Sequence, residues 1–567
     1  MDFFEDLKKK IRRSAPVGAE LEFSYPPRPE LGDLSAACFR LDENGRRQPA
    51  PAAARDLSAT LAADKNFKKY FDEVKIYGLY ANLVIKPLYL AEKIIRAVKK
   101  EKNIYAHNAL GRGEKVMLEY ANANTHKEYH VGHLRNIAYG DAVGRLLTAN
   151  GYKVIPVSYI NDFGIHTAKT LWYWQKEPAF KDGPEDRGYL LGKCYAAASQ
   201  ELAREPEYKE AVAAVMKEIE KRHGDNYELW RETRIWSLKY FARVYQELGV
   251  KFKHIFYESE MIALGARIVK DLLKRGIFKK SQGAVVADLD DFGLGVLPIL
   301  RSDGTALYPV ADLELAKEKF EKYHVSQSLY VVDVRQSLYF KQLFKILTLM
   351  GHNKPLKHLA YDFVTLPAGM MSSRAGNVIT YEELKDKVWQ KLKTETKKRH
   401  PDWTASRVEL VAKDLALSTI KFEMLKVNAD KIITFNLEEA LRFDGYTACY
   451  LLYSYARLRS IVRKAGFNLF RPRPVPKELR QDQEKRLLIK IAKYPEIIRS
   501  AGRNYNPSEV AKYLFELAQV FNDYYHETPI LKAPPKVKAA RLALIKMVAQ
   551  TLKNGFNILG LKILEEI

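Results

Sequence analysis

Residues 119–141 read EYANANTHKEYHVGHLRNIAYGD, and in that stretch two imidazoles, His130 and His133, bracket Val131-Gly132 with Lys127 three residues upstream. An apolar strand candidate, Val116–Tyr120, precedes the turn, and a helical pattern, Gly132–Ala149, follows it. A helix N-terminus presents unpaired N–H groups and partial positive charge, which suits phosphate. Gly132 would let a ligand approach the backbone there. Imidazoles three residues apart would flank the same pocket and donate to phosphate oxygens, with Lys127 as a point charge beside them. A second stretch, MMSSRAGNVIT (370–380), is a loop of small hydroxyl residues and glycine with Arg374 in its middle. An arginine on such a loop can reach a triphosphate late in a reaction. Each string is short, and an HxGH also arises as two surface histidines near a helix start.

These residues need elements to position them. Lys153–Ile160 is strand-like again after Asn150-Gly151, so strand, turn, helix and strand follow one another at the spacing of a parallel βαβ unit. A glycine just past the helix suits a left-handed cap. Residues 168–248 are helical in pattern and rich in charge, and strand-like runs return at 283–289 and 328–334. A helical insertion inside a nucleotide-binding α/β domain explains this order. From about Val388 the pattern is helical to Ile567, with one proline-rich break at Arg471–Leu479. The N-terminal MDFFEDLKKKIRR reads as an amphipathic helix with Phe4, Leu7 and Ile11 on one face, and has no apolar core of an export signal.

A chain of 567 residues is too long for a single core. Three distant cysteines, Cys38, Cys194 and Cys449, argue against a disulfide framework or a zinc site and for a reducing compartment. No apolar run is long enough to span a membrane. Lys plus Arg number 93 against 69 Asp plus Glu, a balance of +24 spread along the chain. That excess serves solubility or meets a large polyanion.

HVGH resembles the "HIGH" signature of class I aminoacyl-tRNA synthetases, and MSSR their "KMSKS" loop, in the expected order and about 240 residues apart. The surroundings are similar to those of arginyl-tRNA synthetases: Glu119, Asn124 and Lys127 before the histidines, RSDGTALYPVADLELA (301–316), YVVDVRQSLYFKQLF (330–344), and C-terminal blocks at 443–462, 513–531 and 541–561. PPRPELGDLSAACFRL (26–41) resembles that family's additional N-terminal domain.

The resemblance implies a multidomain α/β protein. It would have an N-terminal tRNA-contacting domain (1–108), a Rossmann-like parallel-sheet catalytic domain (109–387) with the helical insertion, and an all-α anticodon-binding bundle (388–567). It implies ATP and L-arginine as substrates, magnesium with the ATP, no zinc, tRNA(Arg) as partner, and a cytoplasmic monomer. His130, His133, Lys127 and Arg374 would act in catalysis. Gly132, Met371, Ser372 and Ser373 would bind ATP with the two histidines. Glu119, Tyr308 and Asp312 would take the guanidinium, Asn124 and Gln336 the amino-acid end. Tyr446, Tyr450, Tyr453, Arg457 and Arg459 would meet tRNA, although tyrosines at helical spacing also serve as core. Unaided by the family, Asp312 reads as an acid near a helix start.

The chain departs from the family pattern at Met370, where the first signature lysine would stand and for which Lys127 would substitute. Further departures are Tyr339, Tyr446, Ala448, Cys449 and Leu452. Two alternatives stand beside an arginine–tRNA ligase. A sister class I enzyme would lack the acidic trio, because a neutral side chain gains nothing from buried carboxylates. A non-catalytic tRNA-binding paralogue would have lost the charged turn.

Overall fold

The computed structural model describes residues 2–42, 44–177, 180, 186–365, 379–466 and 476–567. The expected N-terminal helix α1 (Phe3–Arg13) buries Phe3, Phe4, Leu7 and Ile11. Its rings meet Tyr89 and Tyr25 of the following unit. That unit consists of β1 (Ala19–Ser24), β2 (Leu34–Leu41), β3 (Arg47–Pro49), α2 (Pro51–Ala63), α3 (Phe67–Tyr70), β4 (Phe71–Tyr77), β5 (Tyr80–Ile85) and α4 (Pro87–Glu101). Its strands form an antiparallel sheet in the order β1-β2-β5-β4, with β3 on β2.

The βαβ unit is present as β6 (Lys115–Glu119), α5 (Val131–Ala149) and β7 (Lys153–Ile160), the two strands pairing in parallel. Val116, Met117 and Leu118 are all buried, as a parallel strand covered on both faces requires. Helix α5 is buried nearly all round and lies directly on the sheet. A Cβ at Gly140 would fall 2.3 Å from Tyr120, so only glycine permits that approach. Gly151 closes the helix at φ +85°.

Helices α6 (Ile165–Lys176), α7 (Arg187–Arg204), α8 (Tyr208–Lys221) and α9 (Asp225–Glu247) occupy the expected insertion. Then come β8 (His254–Tyr257), α10 (Glu258–Lys274), β9 (Lys279–Ser281), β10 (Ala284–Asp288), β11 (Val296–Leu300), α11 (Tyr308–Glu321), β12 (Gln327–Asp333), α12 (Ser337–Leu349), β13 (Leu356–Tyr361) and β14 (Val364–Thr365). The two returning strands part company. β12 joins the parallel sheet, whose order is β13-β12-β6-β7-β8, whereas β10 forms a separate antiparallel sheet with β9 and β11. The reason is local: β10 follows β9 through a tight turn at Gln282-Gly283, both at positive φ, and such a short connection yields only antiparallel pairing.

The remaining chain is α13 (Tyr381–Arg399), α14 (Ala405–Leu425), β15 (Ile433–Thr434), α15 (Leu437–Ala440), α16 (Ala448–Lys464), α17 (Asp482–Asn504), α18 (Pro507–Glu527) and α19 (Pro535–Leu559). The helical run starts at Tyr381, ahead of the expected Val388, because Thr380 and Glu383 cap each other's backbone N–H. β15 reaches back to pair with β14. One continuous apolar cluster joins α1, α5 and the C-terminal helices.

Candidate active site

The chain order of the parallel sheet reverses between β6 and β12. In open α/β sheets ligands bind beyond the carboxyl ends of the strands at such a point. A cavity of about 970 Å³ opens there, and it gathers Glu119, Asn124, His130, Gly132, His133, Tyr308, Asp312 and Gln336. Lys127 stands outside that lining, with its ammonium 4.6 Å from the centre of the Tyr195 ring on α7. Met370, Met371, Ser372, Ser373 and Arg374 lie outside the described residues.

His130 is the N-cap of α5. Its Nδ1 accepts from the Gly132 N–H at 3.1 Å, and Nδ1 of His133 accepts from the His130 N–H at 3.2 Å. The rings stack 3.8 Å apart. Burial, with Lys127 and Arg335 nearby, pushes His130 down to about 4. Burial, His130 and Lys127 push His133 well below its ordinary value. Neutral imidazoles whose Nδ1 atoms accept must carry their protons on Nε2, so each has one N–H donor to spend on a ligand. Gly132 serves the cap as well: a Cβ there would lie 3.0 Å from the His130 ring.

The described chain on either side of residues 366–378 is fastened to this helix start. Downstream, the Val131 N–H donates to Ile379 at 3.3 Å and the Tyr381 N–H to Tyr129 at 2.8 Å. Upstream, Arg135, 1% exposed, donates to the carbonyls of Asp362, Phe363, Asn428, Ala429 and Lys431 at 2.7–3.1 Å. Asn136 adds bonds to Ala121 and Val331 at the ends of β6 and β12. Further along α5, buried Lys421 of α14 meets Asp141 at 3.1 Å and the carbonyls of Leu248 and Gly560.

The far end of the cavity is polar, lined by Tyr159, Asn161, Tyr308, Asp312 and Tyr339. Asp312, on the second turn of α11, accepts from the Tyr339 hydroxyl, and burial pushes its carboxyl up to about 7. Outside that lining, Glu258, the first residue of α10 and 3% exposed, is pushed to about 9 by burial and by the charges of Asp312 and Asp162. Among the described residues, Glu258 Oε2, Asn161 Oδ1 and the Tyr159 hydroxyl are buried without a hydrogen-bond partner. Tyr308 stands at the mouth, 62% exposed. Glu119 differs from these acids: Lys319, fully buried on α11, pairs with it, and Asn122 donates to it at 2.8 Å. Neither Glu258 nor Lys319 stood out in the sequence. The only signal was an acid opening a helix after an edge strand, and a lysine at i+7 from Asp312.

The helical domain divides its predicted residues. Tyr453 and Arg457 line a second cavity of about 790 Å³ with His400, Trp403, Tyr525 and Lys532. Arg457 also donates to Asn522 at 2.6 Å, and the other three bond or pack within the protein. Tyr446 packs on Phe422 and Phe515, Tyr450 accepts from Asn522 at 2.9 Å, and Arg459 pairs with Glu565 at 3.0 Å. The departures Ala448, Cys449 and Leu452 are fully buried and face the core, not that cavity.

Residues 94–437 match the model of the class I (R) tRNA synthetase catalytic domain, and 451–567 that of the DALR anticodon binding domain. An arginine–tRNA ligase of Bdellovibrio bacteriovorus is 35% identical over 553 residues, covering 94% of this chain and 92% of its own. One of Clostridium botulinum is 31% identical over 580 residues, the whole of both chains. The structure of Thermus thermophilus arginyl-tRNA synthetase superposes with a TM-score of 0.83 at 26% identity, covering both chains fully. A catalytic-domain match across more than half the chain, with relatives of this identity along its whole length, means that the chain belongs to the arginine–tRNA ligase family of class I tRNA synthetases.

Proposed function

We propose that this protein activates L-arginine with ATP and passes the arginyl group to the terminal adenosine of tRNA(Arg). The observation that carries the reading is the polar far end of the cavity, where the raised Asp312 carboxyl accepts from Tyr339, Asn161 Oδ1 and the Tyr159 hydroxyl are buried without a partner, and the raised Glu258 carboxyl lies just outside the lining. A guanidinium brings five N–H donors and a permanent charge, which is what such a pocket lacks. Asp312 and Glu258 take the charge, with Tyr308 over the opening. Glu119, its charge matched by Lys319, serves as a polar wall. Asn124 and Gln336 hold the α-amino and carboxylate end, turned toward the histidines.

An arginine carboxylate oxygen then attacks the α-phosphorus of ATP. The bond to the bridging oxygen breaks, and pyrophosphate leaves with the electron pair. No protein nucleophile is needed, so catalysis is positioning and stabilisation of spread negative charge. The Nε2–H groups of His130 and His133, Lys127, and Arg374 of the signature loop supply it, with Gly132, Met371, Ser372 and Ser373 beside the nucleotide. A terminal tRNA hydroxyl then attacks the arginyl carbonyl, and AMP leaves. Magnesium is assigned to the ATP as part of that substrate.

With unit bounds at 108 and 387, this chemistry belongs to the middle unit. The first and last units reach along the tRNA, with the Tyr453–Arg457 cavity on the anticodon side. We take the protein to act as a cytoplasmic monomer. The test is attachment of labelled arginine, glutamine, lysine and cysteine to total tRNA with ATP and magnesium. Arginine alone should be charged, and equal charging of any other amino acid would overturn the reading.

A further inference from the structure

Tyr195 has no place in the chemistry so far, yet two lysines converge on it. Lys127 of the histidine turn sits 4.6 Å from its ring centre, and Lys169 of α6 sits 4.0 Å away. Lys169 also donates to the Ser199 hydroxyl at 2.7 Å, one turn further along α7. Helix α7 is seated firmly on the catalytic turn, since a Cβ at Gly192 would fall 2.5 Å from the Glu128 nitrogen. That packing holds the backbone that carries Tyr195 against the turn.

The two cations share one ring partner in Tyr195. Lys127 acts on both histidines of the turn and on His166, and Lys169 acts on His166. A triphosphate whose α-phosphorus lies by His130 and His133 would run past Lys127 toward Lys169. An aromatic face orients an ammonium while leaving its charge intact, whereas a carboxylate would cancel it. The sequence also places Met370 where a signature lysine would otherwise stand, which leaves room for a further cation on the outer phosphates beside Arg374.

We propose that Tyr195 is a positioning residue that aims Lys127 at the pyrophosphate half of ATP and brings Lys169 alongside it as a second pyrophosphate-binding cation. As the bond from the α-phosphorus to the bridging oxygen breaks, the two ammoniums hold the charge that accumulates on the leaving pyrophosphate. This rests on the reading that Lys127 serves the triphosphate.

The experiment measures ATP KM, inhibition by pyrophosphate and inhibition by AMP in the full-length protein with tRNA. AMP has no outer phosphates and so reports the rest of the site. Lys169→Met and Tyr195→Leu should each weaken pyrophosphate and raise the ATP KM about tenfold, as for loss of one charge-assisted contact, with AMP unchanged. Tyr195→Phe, which keeps the ring face, should recover most of the loss. Unchanged pyrophosphate inhibition in Lys169→Met would overturn the proposal. So would equal weakening of AMP and pyrophosphate in Tyr195→Leu, or a Tyr195→Phe as defective as Tyr195→Leu. Lys127→Met separates the two levels: if it binds pyrophosphate normally, the parent assignment fails and this one with it. If Lys127→Met is crippled while Lys169→Met is normal, only the present proposal fails.

Discussion

Helix α5 and the acidic end of the cavity both bury charge, but in opposite states of completion. Arg135 spends its guanidinium on five carbonyls, and Lys421 spends its ammonium on Asp141 and two more. Glu258 and Asp312 sit in the same protein with raised carboxyls, and Glu258 keeps an oxygen that nothing meets. A buried polar group without a partner costs about 1–3 kcal/mol, more when it is charged. A completed cation therefore belongs to the fold. Incomplete acids belong to whatever completes them.

Breaking the completed side should give the largest effect. Arg135→Met strands five carbonyls and releases the upstream stem of segment 366–378, so unfolding should become easier by about 3–5 kcal/mol. A denaturant midpoint measures it, and a change under about 1 kcal/mol would erase the distinction. Asp312→Asn attacks the incomplete side. Arginine kcat/KM should fall by roughly 2–5 kcal/mol, because a desolvated guanidinium loses its charge partner, while the midpoint barely moves. A variant that lost stability and kept its arginine kinetics would reverse the two roles.

The same contrast explains what could be read from sequence. The turn with Lys127, His130 and His133 was legible because strand, turn and helix are consecutive, whereas Tyr308 and Asp312 came from the family resemblance, since unaided Asp312 reads as an acid near a helix start. Glu258 was not, since its meaning depends on Asp312 packing opposite it from another helix. Arg135 reads as a surface arginine until its five carbonyl partners converge on it from segments far along the chain. Alternation identified β10 as a strand but not its sheet, which turn geometry decided. Tyr446 and Tyr450 lie on the expected helix region, but their packing and hydrogen bonds lie inside the protein.

Glu258→Gln sharpens the comparison with a smaller change. The amide still accepts a hydrogen bond but cannot ionise, so the arginine KM should rise about tenfold, equivalent to about 1.4 kcal/mol. The protein without substrate should lose part of its pH dependence. A carboxyl with an ordinary value of 4.5, held near 9 in the fold, keeps its proton where the unfolded chain has released it. Its contribution to stability is thus full below about 4.5 and declines as the pH rises toward about 9. Thermal midpoints of the two proteins should diverge across that window, with Glu258→Gln the flatter. Parallel curves would mean that Glu258 is already ionised.

The smallest effect is the most specific. At pH 7.5 the empty pocket holds most of a proton on Glu258 and a fraction of one on Asp312. A guanidinium entering between them favours both ionised forms, so binding must expel protons into the buffer. Titration calorimetry of arginine in two buffers of different ionisation enthalpy counts them, and between half a proton and one and a half should appear on this reasoning. Affinity should rise with pH up to about 9 and then level, since beyond that point no proton remains to be displaced. His130 and His133 cannot imitate this, because both are already neutral throughout that range. Binding without proton release would mean that the acids are charged before arginine arrives, and the incomplete region would then be no different in kind from the completed one.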